Sequence, residues 1–232
     1  MRDLQMTPLE HLAELRSRLL RAVLAVCGGT LVGSLITKPV IEWLLWPLGE
    51  SAVIVLGPTE APIVYFKVSL WLGVLLALPY LLYQLYAFIR PGLYPAERKY
   101  FWLLIPGSLL AFILGGGFTF GAFLPVTLPF LREFLPSMVQ STYSLEKYLS
   151  FVTTTLLSLG LIFQTPLVLY FLARAGLVQS AALCKARKLV IFGAALVAAI
   201  ITPTTDPFVM LMVMLPFIAL YEVGIWLARL AE

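Results

Sequence analysis

Six long apolar runs, each set off by a polar connector carrying Pro, Gly or charge, constrain this chain more than any other feature. They lie at Leu19–Ile36, Val64–Phe88, Phe101–Leu124, Phe151–Ala173, Leu189–Ile201 and Phe208–Ala228. A membrane-spanning helix needs about 20 mainly apolar residues. The chain is 61% hydrophobic and only 12% charged, where a soluble domain carries about a quarter charged residues. The runs therefore read as spans. The expected fold is an all-α, polytopic membrane protein of six transmembrane helices, folded as a single domain over residues 1–232.

The connectors carry helix-stop chemistry at Pro91-Gly92, Tyr94-Pro95, Pro136-Ser137, Gly176 and residues 202–207. No internal repeat relates one half to the other, so an inverted-repeat transporter has no support. The polar segment ahead of the first run carries no small-residue cleavage site, and that run is expected to remain as the first span.

Orientation follows from the basic residues. Of 16 Lys and Arg, all but Lys38, Lys67, Arg132 and Lys147 fall in one alternating set of flanks and connectors, which includes both termini. The positive-inside rule then places both termini in the cytoplasm. A net charge of +4 distributed in this way fits membrane topology and not nucleic-acid binding.

The fifth and sixth helices are expected to be short. Leu189–Ile201 would be about 20 Å of helix against a hydrocarbon core of about 30 Å. The sixth apolar stretch meets Glu222 soon after Tyr221. The two cysteines, Cys27 in the first span and Cys184 in a cytoplasmic connector, are not expected to pair. The single histidine, His11, is not at ligand spacing from either, so no metal and no cofactor is expected.

Chemistry concentrates ahead of the first span. Thr7 and Glu10 fit a capping box with Pro8 at the first helical position. Glu14 and Arg18 stand four apart in the favourable acid-first order, which by itself amounts to a surface pair of a few tenths of a kcal/mol. In the second cytoplasmic connector, Pro95 restarts a helix and places Glu97 in its first turn, where a carboxylate complements the helix dipole. Glu14 and Glu97 come from different segments but share one membrane face. Two carboxylates there suit two guanidinium groups, through charge-assisted hydrogen bonds.

The segment His11-Leu12-Ala13-Glu14-Leu15-Arg16-Ser17-Arg18-Leu19 resembles the start of the TatC family, the multi-span subunit of the twin-arginine protein translocase. The likeness continues through Pro47, Tyr83-Gln84, Phe88, Pro91-Gly92-Leu93, Glu97-Arg98, Phe163, Pro166, Thr202-Pro203, Asp206, Pro216 and Tyr221-Glu222-Val223-Gly224. It implies a receptor and scaffold, not an enzyme, that binds twin-arginine signal peptides of folded proteins and organises proton-gradient-driven export across the cytoplasmic (inner) membrane. On the same resemblance Glu14 and Glu97 engage the arginines, and Arg16, Leu19 and Phe88 share that surface. Pro47 matches a position on the opposite side, and Asp206 the acidic residue between spans five and six. TatA/TatB-type single-span subunits are the implied partners, within a larger complex holding several copies of the chain.

Gln164 stands where the family carries a glutamate. It cannot ionise but keeps an amide at membrane depth, so it is a functional candidate, with helix–helix contact as the plainer role. Met210 replaces a glutamine of some relatives. Other classes fit less well. No span holds a histidine to act as base for a serine nucleophile, and Asp3 and Asp206 are the only aspartates. A small-solute or ion channel or transporter is the remaining alternative, though it would call for several ionisable groups at mid-membrane.

Overall fold

The computed structural model describes residues 8–49, 53–89, 101–133, 142–202 and 206–232. Its helices are α1 (Pro8–Leu45), α2 (Glu60–Ile89), α3 (Phe101–Phe118), α4 (Leu124–Glu133), α5 (Leu145–Ile162), α6 (Thr165–Arg174), α7 (Ser180–Ile201) and α8 (Pro207–Ala231). Two dipeptide strands, β1 (Val53–Ile54) and β2 (Tyr143–Ser144), pair in parallel at one end of the bundle.

Five stretches are long and apolar enough to cross a membrane: His11–Leu48, Glu60–Phe88, Leu104–Arg132, Leu145–Arg174 and Pro207–Ala231. The helix α7 spans 22 residues, but any 18-residue window in it includes Lys185, Arg187 and Lys188. Its apolar part is the predicted 13-residue run, preceded by two charged turns. The expectation of a short sixth helix is corrected: α8 has 25 residues, about 37 Å. Glu222 does not end it, because its carboxylate reaches sideways to Arg187 on α7 at 2.8 Å and the backbone ladder runs on.

The first helix also exceeds its apolar run. At 38 residues it is about 57 Å long, so part of it must project beyond a hydrocarbon layer of about 30 Å. It starts at Pro8, as the sequence predicts; the Thr7 cap lies outside the described residues. Two of the expected spans are interrupted. The third joins α3 to α4 through a π-helical stretch at Thr119–Phe123, since Pro125 has no N–H to continue the ordinary ladder. The fourth breaks between α5 and α6 at Phe163 and Gln164, because Pro166 enters the first turn of α6 without a donor.

Close backbone approach sets the packing of α1 on α2. A methyl group at Gly29 would stand 2.6 Å from the Gly73 carbonyl, and one at Gly73 would stand 2.6 Å from the Thr30 amide nitrogen. The larger core gathers Leu44, Leu48, Val68, Phe123, Leu149, Val152 and Val213 near the β1–β2 end. A smaller one joins Leu169, Leu183, Tyr221 and Ala228 near the other end. Only 6% of the apolar window of α1 is buried. Leu24, Leu31 and Leu35 are among its exposed side chains, a surface that suits lipid and not water.

Buried polar groups clasp the β1–β2 end. The Glu60 carboxylate accepts from the Ser144 hydroxyl and the Glu146 amide, each at 2.7 Å, and from the Leu56 amide. Ser144 caps α5, so the helix start foreseen at Ser144-Leu145-Glu146 is present. At the other end of the bundle, Glu232 accepts from the Ser180 hydroxyl at 2.7 Å and from the Ser180 amide. These donors hold its carboxyl below the ordinary glutamate range. Cys27 and Cys184 are free.

Candidate functional site

The spacing 11, 14, 18 places three polar side chains on one face of α1, and 84, 88 places two on one face of α2. The helices run antiparallel, so Arg18 meets Gln84 and His11 meets Phe88. Arg18 donates Nε (2.9 Å) and Nη2 (2.6 Å) to the same oxygen, Oε1, of Glu14. Its remaining nitrogen, Nη1, donates to Gln84 Oε1 at 3.1 Å. One turn nearer the start of α1, the His11 ring stacks on Phe88 with centroids 4.4 Å apart.

This is not the solvated surface pair that spacing alone suggests. The Glu14 and Arg18 side chains are only 19% and 20% exposed, and Gln84 is buried. The second carboxylate oxygen, Glu14 Oε2, is buried with no hydrogen-bond partner among the described residues. A desolvated acceptor of this kind gains strongly from a charged donor.

Other candidates lie elsewhere. Arg16 and Leu19 are exposed on α1. Glu97 lies outside the described residues. Pro47 sits in the single 3₁₀ turn Trp46–Leu48, at the far end of α1 and about 45 Å from Glu14 along the helix. There the Leu48 carbonyl accepts from Arg132 Nη2 at 2.9 Å. Asp206 caps α8, accepting from the Phe208 amide at 2.7 Å and the Val209 amide at 3.4 Å.

Gln164, at the break between α5 and α6, donates Nε2 to the Ser108 carbonyl of α3 at 2.7 Å. The Ser108 hydroxyl in turn bonds the Tyr86 hydroxyl at 2.6 Å. Its observed role is thus a helix-to-helix tie. The sequence reading named no role for Gln84 or His11. An amide within the otherwise apolar α2, four residues before Phe88, was the available signal.

The architecture is that of a polytopic helical membrane protein whose first helix projects a half-buried, guanidinium-paired carboxylate at one end of the bundle. The family model described as Sec-independent protein translocase protein (TatC) matches residues 10–216. The TatC protein of Synechocystis is 35% identical over 98% of this chain and 90% of its own. That of Deinococcus radiodurans is 35% identical over 98% and 87%. A crystal structure of a twin-arginine translocase receptor, TatC, superposes with a TM-score of 0.86 at 36% identity, covering 96% of this chain and 99% of the other. The chain belongs to the TatC family of Sec-independent protein translocase components.

Proposed function

We propose that this chain is the signal-receiving subunit of its translocase and that Glu14 is the carboxylate against which one arginine of a twin-arginine signal docks. The supporting observation is the state of Glu14: one oxygen held by Arg18, the other desolvated and without a partner among the described residues. Glu97 is proposed as the second carboxylate. Leu19, 62% exposed, and Arg16 flank the same site, and Phe88 offers a ring beside it. A guanidinium satisfies a carboxylate through a planar fork that an ammonium lacks, which suits a signal defined by arginine.

In the membrane, α7 is assigned as a further span whose charged first turns lie at the interface, giving six spans with both termini on the cytoplasmic side of the inner membrane. The distribution of Lys and Arg supports this orientation. TatA/TatB-type single-span helices are the proposed partners, with Gln164, Asp206 and the Pro47 turn as contact or supporting positions.

Peptide binding to the purified protein in nanodiscs tests the reading. A twin-arginine signal peptide is expected to bind, a twin-lysine version to bind more weakly, and Glu14→Ala and Glu97→Ala each to lose binding. Equal binding by both variants would return the two glutamates to roles in helix structure alone.

A further inference from the structure

The Glu14 site is already occupied by a guanidinium from its own helix. Arg18 uses Nε and Nη2 on Glu14 Oε1 and Nη1 on Gln84, so its fork is divided between the acidic residue and the facing helix. Gln84 belongs to a different helix, 66 residues away in sequence. This contact fixes Arg18 in place where a free side chain on a projecting helix would swing in water.

We propose that Arg18 is a built-in competitor for the Glu14 carboxylate, and that it sets the selectivity of the site for guanidinium over ammonium. The inference rests on the receptor reading above. An arriving cation has two routes. It can displace Arg18 from Oε1, which breaks two charge-assisted bonds to Glu14 and frees the third to Gln84, or it can share the carboxylate through Oε2 beside a resident positive charge. Both routes set a threshold.

A lysine ammonium is a compact, strongly hydrated point charge. It has to shed water to approach a half-buried carboxylate that Arg18 has already partly neutralised, and it meets the resident charge at close range with little solvent screening. An arriving guanidinium spreads its charge over a plane, is more weakly hydrated, and can replace both bonds that Arg18 surrenders. The stacked rings of His11 and Phe88 also lie one turn away, offering a face on which a planar cation packs. Without Arg18, Glu14 would be an unpaired, half-buried carboxylate that accepts either cation.

The test measures binding of twin-arginine and twin-lysine signal peptides to the full chain in nanodiscs, for the unsubstituted protein and for Arg18→Ala, Arg18→Lys, Gln84→Leu and Glu14→Ala. Arg18→Ala is expected to strengthen twin-lysine binding more than twin-arginine binding, so that the preference for arginine falls by about tenfold, the value of one charged hydrogen bond. Arg18→Lys, which keeps the charge and loses the fork, and Gln84→Leu, which unties Arg18 from α2, should lower the preference by smaller factors. These two variants carry the test if Arg18→Ala does not fold. An unchanged preference in the Arg18 variants, or an equal loss of both peptides, overturns the competitor role and identifies Arg18 as a support for Glu14. Failure of the unsubstituted protein to bind either peptide, or full binding by Glu14→Ala, overturns the receptor reading itself and is recognised without the Arg18 variants.

Discussion

Arg18 places two of its N–H donors on a single oxygen of Glu14 and its third contact on Gln84, leaving the other Glu14 oxygen desolvated. An i,i+4 pair that would contribute little on an exposed helix becomes part of an interhelical network. Its coupling to stability should therefore exceed the surface value. A double-mutant cycle with Glu14→Gln and Arg18→Met, read by unfolding in detergent, is expected to give about 1–2 kcal/mol, as for residues sharing one network. A value at or below the ~0.5 kcal/mol of exposed helix pairs would mean that Gln84 adds nothing.

Gln164 ties the α5–α6 break to α3 by donating to a carbonyl. A carboxylate can make that bond only when protonated. Gln164→Glu is expected to lower stability by about 1–3 kcal/mol at neutral pH, the cost of a buried polar contact left unsatisfied. The acid form restores the donor, so the loss should shrink on acidification and grow as pH rises. Melting temperatures of this variant and the unsubstituted protein between pH 5 and about 8 would check it. A gap that does not vary with pH would remove the donor role.

The approach of α1 to α2 depends on a glycine at position 73, where a methyl group would stand 2.6 Å from the Thr30 amide. Gly73→Ala should cost about 1–3 kcal/mol through forced separation of the helices. Gln84 lies about three turns further along α2, so the Arg18–Gln84 contact should weaken with it. Both effects are measurable together, as a lower midpoint of unfolding and altered twin-arginine peptide binding.

The Glu232 carboxyl is held below its ordinary range by the Ser180 amide and hydroxyl. With the folded value depressed, the unfolded chain takes up the proton first as pH falls. The contribution is thus fully present above the ordinary glutamate value of 4.5 and is lost as pH drops through the lower folded value. Glu232→Gln should lower the melting temperature above that pH, and the two proteins should converge in stronger acid. A difference that persists unchanged into strong acid would show that the carboxylate charge plays no part.

Much of the fold was legible in the sequence because hydropathy acts locally and additively. Runs of apolar residues mark spans wherever they occur, and proline marks where a helix starts or breaks. The pattern nevertheless understated α8. Glu222 reads as an interruption in one dimension, whereas in three it finds Arg187 across the helix pair. Likewise the acid-first spacing of Glu14 and Arg18 suggested a surface pair, and only their burial against α2 distinguishes it from one.

By itself the sequence determined the class of molecule, the rough positions of its spans, the alternation of basic flanks, and Glu14 as a carboxylate worth examining. Each of these is a property of neighbouring residues. The tertiary structure decided which side chains meet: Gln84 with Arg18 across 66 positions, His11 with Phe88, and Gln164 with the Ser108 carbonyl. Those encounters depend on how closely and in what register helices pack, here allowed by the small surfaces of Gly29 and Gly73. No local pattern encodes that register, because it is set by contacts between segments far apart in the chain.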